Sequence, residues 1–122
     1  MNNLIKTYSN FENENIKIED DHLLLKTYNI DVKLTKKQRN LLLCLIGEIN
    51  YKNDIIRYLW GDCSVNNGKK YKQLVFKLRE NLMAAGCPRD TIITMYNYGL
   101  CLNNNLLTKE ERHLSAAFGE II

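Results

Sequence analysis

The sequence predicts an α+β fold in which an antiparallel sheet is followed by three helices and then by a β-hairpin. Up to residue 34, apolar and polar residues alternate, which is typical of strands with one buried face. From residue 35, apolar residues recur at spacings of three and four, which is typical of amphipathic helices. A chain of 122 residues with 45% hydrophobic residues can bury a core without disulfide bonds.

The predicted sheet is a meander of short strands. Strands are expected over three ranges: 15–18, 22–26 and 29–34. The acidic run 19–21 marks the first turn. In the last strand Ile30, Val32 and Leu34 share one face, which we expect to be buried. For residues 1–11, an added edge strand and loose chain are open alternatives.

Two helices are predicted after the sheet. Thr35 and Gln38 have the spacing of a capping box at the start of the first helix, which we expect to end near Asn50. Its apolar residues share one helical face: Leu41, Leu42, Leu45, Ile46 and Ile49. The second, shorter helix is expected from residue 53 or 54 to Trp60.

The third helix is predicted from Lys69 to Ala85, with Gly86 as its C-cap and a polar loop over residues 62–68 before it. The residues of its apolar face are Tyr71, Leu74, Val75, Leu78 and Leu82. The opposite face comprises Lys69, Lys72, Gln73, Phe76, Lys77 and Glu80, flanked by Lys70 and Arg79. A helix that needs only to be soluble more often mixes glutamate with lysine, so this cationic face favours a phosphate-lined groove as its partner.

Two short strands, 92–96 and 100–102, are predicted to form the hairpin. We expect Asn97 and Gly99 to supply the positive φ angles that its tip requires. Residues 1–103 would then form one domain.

Residues 104–122 are predicted to be a helical extension of this domain. The signals are a second capping box and a sparse apolar stripe: Thr108, Glu111, Leu114, Ala117, Phe118, Ile121 and Ile122. For this helix, contact with a partner or a second copy and packing on its own domain are open alternatives.

Charge is unevenly distributed along the chain. Residues 34–90 carry eleven Lys/Arg against five Asp/Glu, a net charge of +6, whereas residues 1–33 have a net charge of −2. The positive potential therefore belongs to the central segment, which favours a polyanionic partner there, although a merely solvated surface is the alternative.

The cysteines and histidines are scattered, without a C-x-x-C pair or a metal-ligand spacing. Cys44 and Cys101 lie in apolar patterns and are expected in the core, whereas Cys63 and Cys87 lie in loop-like segments. We predict no metal site, no cofactor, no catalytic residues and no small-molecule substrate, and therefore no enzyme. Reduced thiols and the absence of a long apolar run favour a cytoplasmic protein.

Three helices followed by a hairpin is the order of a winged helix-turn-helix, in which the hairpin is the wing. Four strings resemble those of the OmpR/PhoB-type winged helix domain, over roughly residues 12–103. They are the Leu-Thr start of the first helix with its paired leucines (34–42), the Trp-Gly end of the second (55–61), the Leu-Arg-x-x-Leu of the third (75–82), and the Thr and Gly of the hairpin (92–99).

The resemblance implies a transcriptional regulator that binds duplex promoter DNA, usually as a dimer on repeated half-sites. By position, the residues that would contact base edges are Lys72, Gln73, Phe76 and Lys77. Those that would contact phosphates are Lys69, Lys70 and Arg79. The family's position of contact with RNA polymerase corresponds here to the loop 61–68.

The chain departs from the family at the wing. Tyr96 stands where the family usually has an arginine that enters the minor groove, and the family's Gly-Tyr is Gly99-Leu100 here. Tyr96, Asn97 and Tyr98 are the wing residues expected at the DNA, with packing of the hairpin as the alternative role for at least one tyrosine.

No receiver domain is expected with this module. A ToxR-like regulator, of which the chain would be the cytosolic part of a membrane-anchored protein, is an alternative. A second alternative is a winged helix that binds a partner protein through Phe76, the 62–68 loop or the C-terminal helix, with weak or no DNA binding.

Overall fold

The structure of the protein is a computed structural model, and it describes residues 10–103. The strands are β1 (Phe11–Glu12), β2 (Ile16–Glu19), β3 (His22–Leu25), β4 (Ile30–Lys33), β5 (Ile92–Met95) and β6 (Gly99–Leu102). The helices are α1 (Lys36–Ile46), α2 (Lys52–Trp60) and α3 (Val65–Ala84), with a 3₁₀ turn over Arg89–Thr91. The predicted C-terminal helix and the beginning of the chain lie outside the described residues.

The first four strands form an antiparallel sheet in the order β1-β2-β3-β4. Glu19 pairs with His22, so the acidic run turns the chain as predicted, with Asp20 at a φ of 55°. The alternating pattern places one face of the sheet in the core, with these side chains buried: Ile16, Ile18, Leu23, Leu25, Val32 and Leu34. Ile30, predicted on that face, is half-buried at its edge.

The capping box of α1 is confirmed. The Gln38 amide N–H donates to Thr35 Oγ1 at 3.2 Å, and the Thr35 N–H donates to Gln38 Oε1 at 3.1 Å. The predicted end near Asn50 is wrong, because the helix stops at Ile46. Glu48 has a φ of 64°, a left-handed conformation that cannot continue a helix.

Asn81 of α3 joins this capping box to the sheet. Its Nδ2 donates to Gln38 Oε1 at 3.1 Å and to the main-chain oxygen of Lys33, at the end of β4, at 2.7 Å. Gln38 is only 6% exposed, so its amide oxygen depends on these protein donors rather than on water. One side chain therefore connects the sheet, α1 and α3.

Replacement of Asn81 by alanine is expected to lower the free energy of unfolding by about 1–3 kcal/mol, because it removes two hydrogen bonds, each worth about 0.5–1.5 kcal/mol. Chemical denaturation followed by circular dichroism measures this change. Glu80→Ala is the control: Glu80 is the exposed neighbour on the same helix, and its loss should change stability by less than about 0.5 kcal/mol. Equal effects of the two substitutions would contradict a structural role for the Asn81 amide.

α3 begins at Val65, four residues before the predicted Lys69. Ser64 is the N-cap, and its Oγ accepts from the Asn67 N–H at 3.2 Å. Asp62 Oδ1 accepts from the Ser64 N–H at 3.0 Å and from Asn67 Nδ2 at 2.9 Å. The predicted loop over 62–68 is therefore mostly the first turn of the helix.

The other helix ends lie close to their predicted positions. α2 begins at Lys52, and its N-cap, Tyr51, makes no side-chain capping bond. At the end of α3, Gly86 has a φ of 104°, and the Cys87 N–H donates to the Leu82 oxygen at 2.9 Å. This pattern is a Schellman motif, in which Gly86 supplies the left-handed residue just after the cap.

The hairpin pairs Met95 with Gly99, which leaves a three-residue connection with Asn97 at a φ of 57°. Gly99 was expected to have a positive φ as well, and this is wrong. A glycine is required there for space, because a Cβ at this position would lie 1.8 Å from the main-chain oxygen of Asn50. The Leu100 N–H donates to that same oxygen at 3.0 Å.

The cysteines are free, but they are not all where the sequence suggested. Cys44 is buried as expected, and burial raises the pKa of its thiol to about 12. Cys87 lies in the loop after α3, as expected, and is buried there. Cys101 is half-buried and Cys63 is exposed. No helix within residues 10–103 has the length and hydropathy of a membrane span.

Candidate functional site

α3 separates its side chains into the two faces that its periodicity predicts. Tyr71, Val75, Leu78 and Leu82 are buried and Leu74 is half-buried on the inner face. All the predicted base-contacting and flanking lysine positions are exposed: Lys69, Lys70, Lys72, Gln73, Phe76 and Lys77. Phe76 is 61% exposed, which is unusual for a large apolar side chain in the middle of a helix.

The lysines of α3 form no salt bridge with residues 10–103. The salt bridges in this part of the chain lie on the sheet, such as Lys17–Glu19 and Lys26–Glu12, or within α2, where Arg57 contacts Asp54. Unpaired cations that lie close together repel one another, and a polyanion would relieve this repulsion. The exposed face of α3, which carries Glu80 as its acidic residue, therefore has an excess of lysines that form no salt bridge within the described residues.

This cationic surface continues onto the start of α1. Burial, with Lys36 and Lys70 nearby, lowers the pKa of Lys37. The Lys37 ammonium donates to the main-chain oxygen of Leu59, at the end of α2, and its Nζ lies 5.3 Å from the ring centroid of Trp60. Lys37 therefore stabilises the packing of α1 against α2, while its charge adds to the same positive potential.

Arg79 has a structural contact that the sequence did not suggest. Its Nη2 donates to the Ile92 oxygen at 3.1 Å and to Thr94 Oγ1 at 2.6 Å. The side chain thus holds β5 against α3 and is half-buried there. The predicted phosphate contact of Arg79 stays a prediction. It would use the guanidinium N–H groups that do not take part in these two hydrogen bonds.

The hairpin presents three exposed polar or aromatic residues beside α3. The Tyr96 side chain is 89% exposed, and Asn97 is exposed at the tip. Tyr98 packs instead against Tyr51, with 5.1 Å between ring centroids. Of the two tyrosines expected at the wing, Tyr98 makes the packing contact that the sequence left as an alternative.

A groove of about 560 Å³ lies between α3 and the hairpin. Lys72, Phe76 and Arg79 contribute from α3, and the start of α2 contributes Tyr51 and Lys52. Sequence reasoning missed the α2 residues. Their position depends on main-chain pairing between residues far apart in the chain, since the Lys52 N–H donates to the Tyr98 oxygen at 2.8 Å. No local signal in the sequence predicts that pairing.

The loop expected to contact RNA polymerase, residues 61–68, is shorter in the structure than the sequence predicts. Residues 61–64 connect α2 to α3 and are exposed, whereas the rest belongs to α3. Hydrogen bonds from Ser64 and Asn67, together with the nearby positive charge of Lys70, lower the pKa of the Asp62 carboxyl. Asp62 is therefore a fixed, charged residue at this connection.

Within residues 10–103, no group of three or more His, Cys, Asp and Glu side chains could hold a metal ion. No protein-family model matches this chain, and a search of curated proteins finds no match.

Proposed function

We propose that this protein binds duplex DNA sequence-specifically and acts as a transcriptional regulator through α3. The observation that carries the proposal is the exposed face of α3, where unpaired lysines surround Gln73 and Phe76. An α-helix fits the major groove, where lysine and glutamine can bind guanine and adenine edges. Lysines alone would give only electrostatic binding, so Gln73 and Phe76 are the residues that add sequence readout.

In this proposal the fold is a winged helix-turn-helix of the OmpR/PhoB type. Two features support it: the short connection 61–64 between α2 and α3, and the hairpin held against α3 by Arg79. α3 would be the recognition helix and the hairpin the wing. The pairing of Leu100 with Asn50 also fixes the hairpin to the connection between α1 and α2.

Six exposed residues of α3 have a role in the proposed complex. Lys77 and Lys72 would donate to guanine O6 and N7, Gln73 would pair with adenine, and Phe76 would contact a thymine methyl group. Lys69 and Lys70 would bind phosphates, which orient the helix without reading sequence.

The proposal is tested by selecting bound duplexes from a random pool and then measuring how the affinity for the selected duplexes depends on salt concentration. We expect an enriched motif and a logarithmic salt slope of roughly −3 or steeper, since each neutralised phosphate contributes about −0.9. Absence of binding at low salt, or binding without any enriched motif, would reject sequence-specific recognition.

A second candidate function is protein binding by the same fold. The exposure of Phe76 (61%) on α3 favours it, because aromatic side chains are enriched at protein interfaces. This function predicts binding that is insensitive to the charge of Lys72 and Lys77, which separates it from DNA binding.

A further inference from the structure

A second concave surface, the crevice, lies where the four-stranded sheet, the end of α1 and β6 meet. It has a volume of about 370 Å³. Its floor is apolar, because two buried core residues, Ile16 and Leu45, line it. Among the described residues that line it, none belongs to α3. The crevice is therefore separate from the face that would contact base edges.

Apolar side chains around the crevice are incompletely covered. Phe11, Ile46 and Leu102 line it and remain half-buried, although each packs against the core. Cys101 lines it as well and is also half-buried. Covering such side chains with further apolar groups stabilises a protein, because more apolar surface leaves water. The crevice thus has the character of an unfilled part of the core.

The edge of the crevice is polar. Asn13 Oδ1 accepts from the Asn15 and Ile16 N–H groups, both at 2.8 Å, and Asn50 Nδ2 donates to the Leu100 oxygen at 2.8 Å. Glu48 adds an exposed carboxylate. An apolar floor inside a polar edge fits an amphipathic segment, whose apolar stripe enters while its polar residues stay in water.

The chain leaves the described residues beside the crevice. Leu102 lines it, and the Asn103 N–H donates to the Thr91 oxygen at 2.9 Å, which holds the last described residue next to it. Residues 104–122 follow. An extended chain covers up to about 3.3–3.6 Å per residue, so residues 104–108 are long enough to turn the chain back before the predicted helix begins.

The sequence of residues 104–122 has the pattern that this surface requires. Leu114, Phe118 and Ile121 have the spacing of one helical face, with polar residues between them. Residues 1–9 also reach the crevice, through Phe11, but they contain fewer apolar residues. The C-terminal segment is therefore the better occupant.

We propose that residues 104–122 turn back onto their own domain and fill the crevice with the stripe of Leu114, Phe118 and Ile121. The segment would then support β6 and the end of α1 rather than bind a second copy or another protein. The inference goes beyond the proposed function and does not depend on it, since the crevice is remote in sequence and lining from the exposed face of α3.

The Cys101 thiol reports on this contact, because Cys101 lines the crevice. The chain carries Cys63→Ser, which removes the exposed thiol. We expect iodoacetamide to modify Cys101 slowly in this chain. Leu114→Ser with Phe118→Ser should raise that rate roughly tenfold or more, because apolar burial no longer opposes local opening of the segment. Mass spectrometry of the peptides measures the rate at each cysteine.

Arg112→Ser is the matched control, because Arg112 lies on the opposite side of the predicted helix and should leave the rate unchanged. Cys44 and Cys87 are buried, which raises the pKa of both thiols, so their modification reports unfolding of the whole domain. An unchanged Cys101 rate in the Leu114 and Phe118 variant would overturn the proposal. So would a faster rate only with Leu4→Ser and Tyr8→Ser, which would assign the crevice to residues 1–9.

Disulfide trapping separates the same chain from a second copy. Leu114→Cys, Phe118→Cys and Ile121→Cys are made singly in the Cys63→Ser chain and oxidised with diamide in dilute solution. A disulfide requires Cα atoms within about 7 Å of each other, so we expect at least one of these positions to join Cys101 within a monomer, and Arg112→Cys not to do so. Disulfide-linked dimers, or no link from any stripe position, would reject docking within the chain.

Discussion

Replacement of Gly99 by alanine is expected to destabilise the protein by about 3 kcal/mol or more, because the added methyl group would overlap rigid main chain. The new Cβ would lie 1.8 Å from the Asn50 oxygen and 2.8 Å from the Lys52 nitrogen. Both atoms are hydrogen-bonded to the hairpin, so relief of the overlap must break bonds that hold β6 to the start of α2. Urea denaturation and the melting temperature measure the loss.

Gly68→Ala is the control for this substitution. Gly68 lies inside α3, and a Cβ there meets no atom within 4 Å. Alanine has a higher helix propensity than glycine, so this change should stabilise the protein by about 0.5–1 kcal/mol. The two substitutions add the same methyl group, and only its surroundings differ. A mild effect of Gly99→Ala, similar in size to that at Gly68, would show that β6 does not approach Asn50 so closely.

The double substitution Lys72→Glu with Lys77→Glu is expected to reduce affinity for the selected duplex by roughly 100-fold or more, because each well-formed base contact is worth about 1–3 kcal/mol. The carboxylates would also be repelled by the phosphates. Both lysines are exposed and unpaired within the described residues, so the fold should be unaffected. Fluorescence anisotropy with labelled duplex measures the affinity.

Lys33→Glu with Arg89→Glu makes the same change in net charge at exposed positions away from the outer face of α3. If this control weakens binding as much as the α3 variant, the effect is one of total charge, and α3 has no special role. Intact binding of a partner protein by the α3 variant, together with unchanged DNA affinity, would support the protein-binding alternative instead.

Local signals in the sequence account for most of the fold. The alternation that predicted the sheet and the Thr35–Gln38 capping box both describe interactions between residues close in the chain, and both are found. The start of α3 was missed for a physical reason. Ser64 caps the helix, but the Asn-Asn-Gly that follows Val65 has low helix propensity and resembles a loop.

Local patterns predicted the candidate site only where it lies on α3, and its hairpin residues, Tyr96, Asn97 and Tyr98, were predicted from the family resemblance. Exposure of Gln73 and Phe76 follows from helical periodicity, so the outer face of α3 could be derived from the sequence. The groove could not, because it requires Tyr51 and Lys52 to meet the hairpin through main-chain bonds across almost fifty residues. The bond from Arg79 to Thr94 is likewise a tertiary contact without a sequence pattern.

The contacts of the Asn81 side chain have a consequence for how the protein unfolds. Because its amide binds the end of β4 and the cap of α1 at once, separation of the sheet or of α1 from α3 breaks one of its two hydrogen bonds. The sheet, α1 and α3 should therefore unfold as one cooperative unit rather than piece by piece. In native-state hydrogen exchange, amides of β3, β4 and the middle of α3 would share one opening free energy, and Asn81→Ala would separate the values for the sheet from those for the helices.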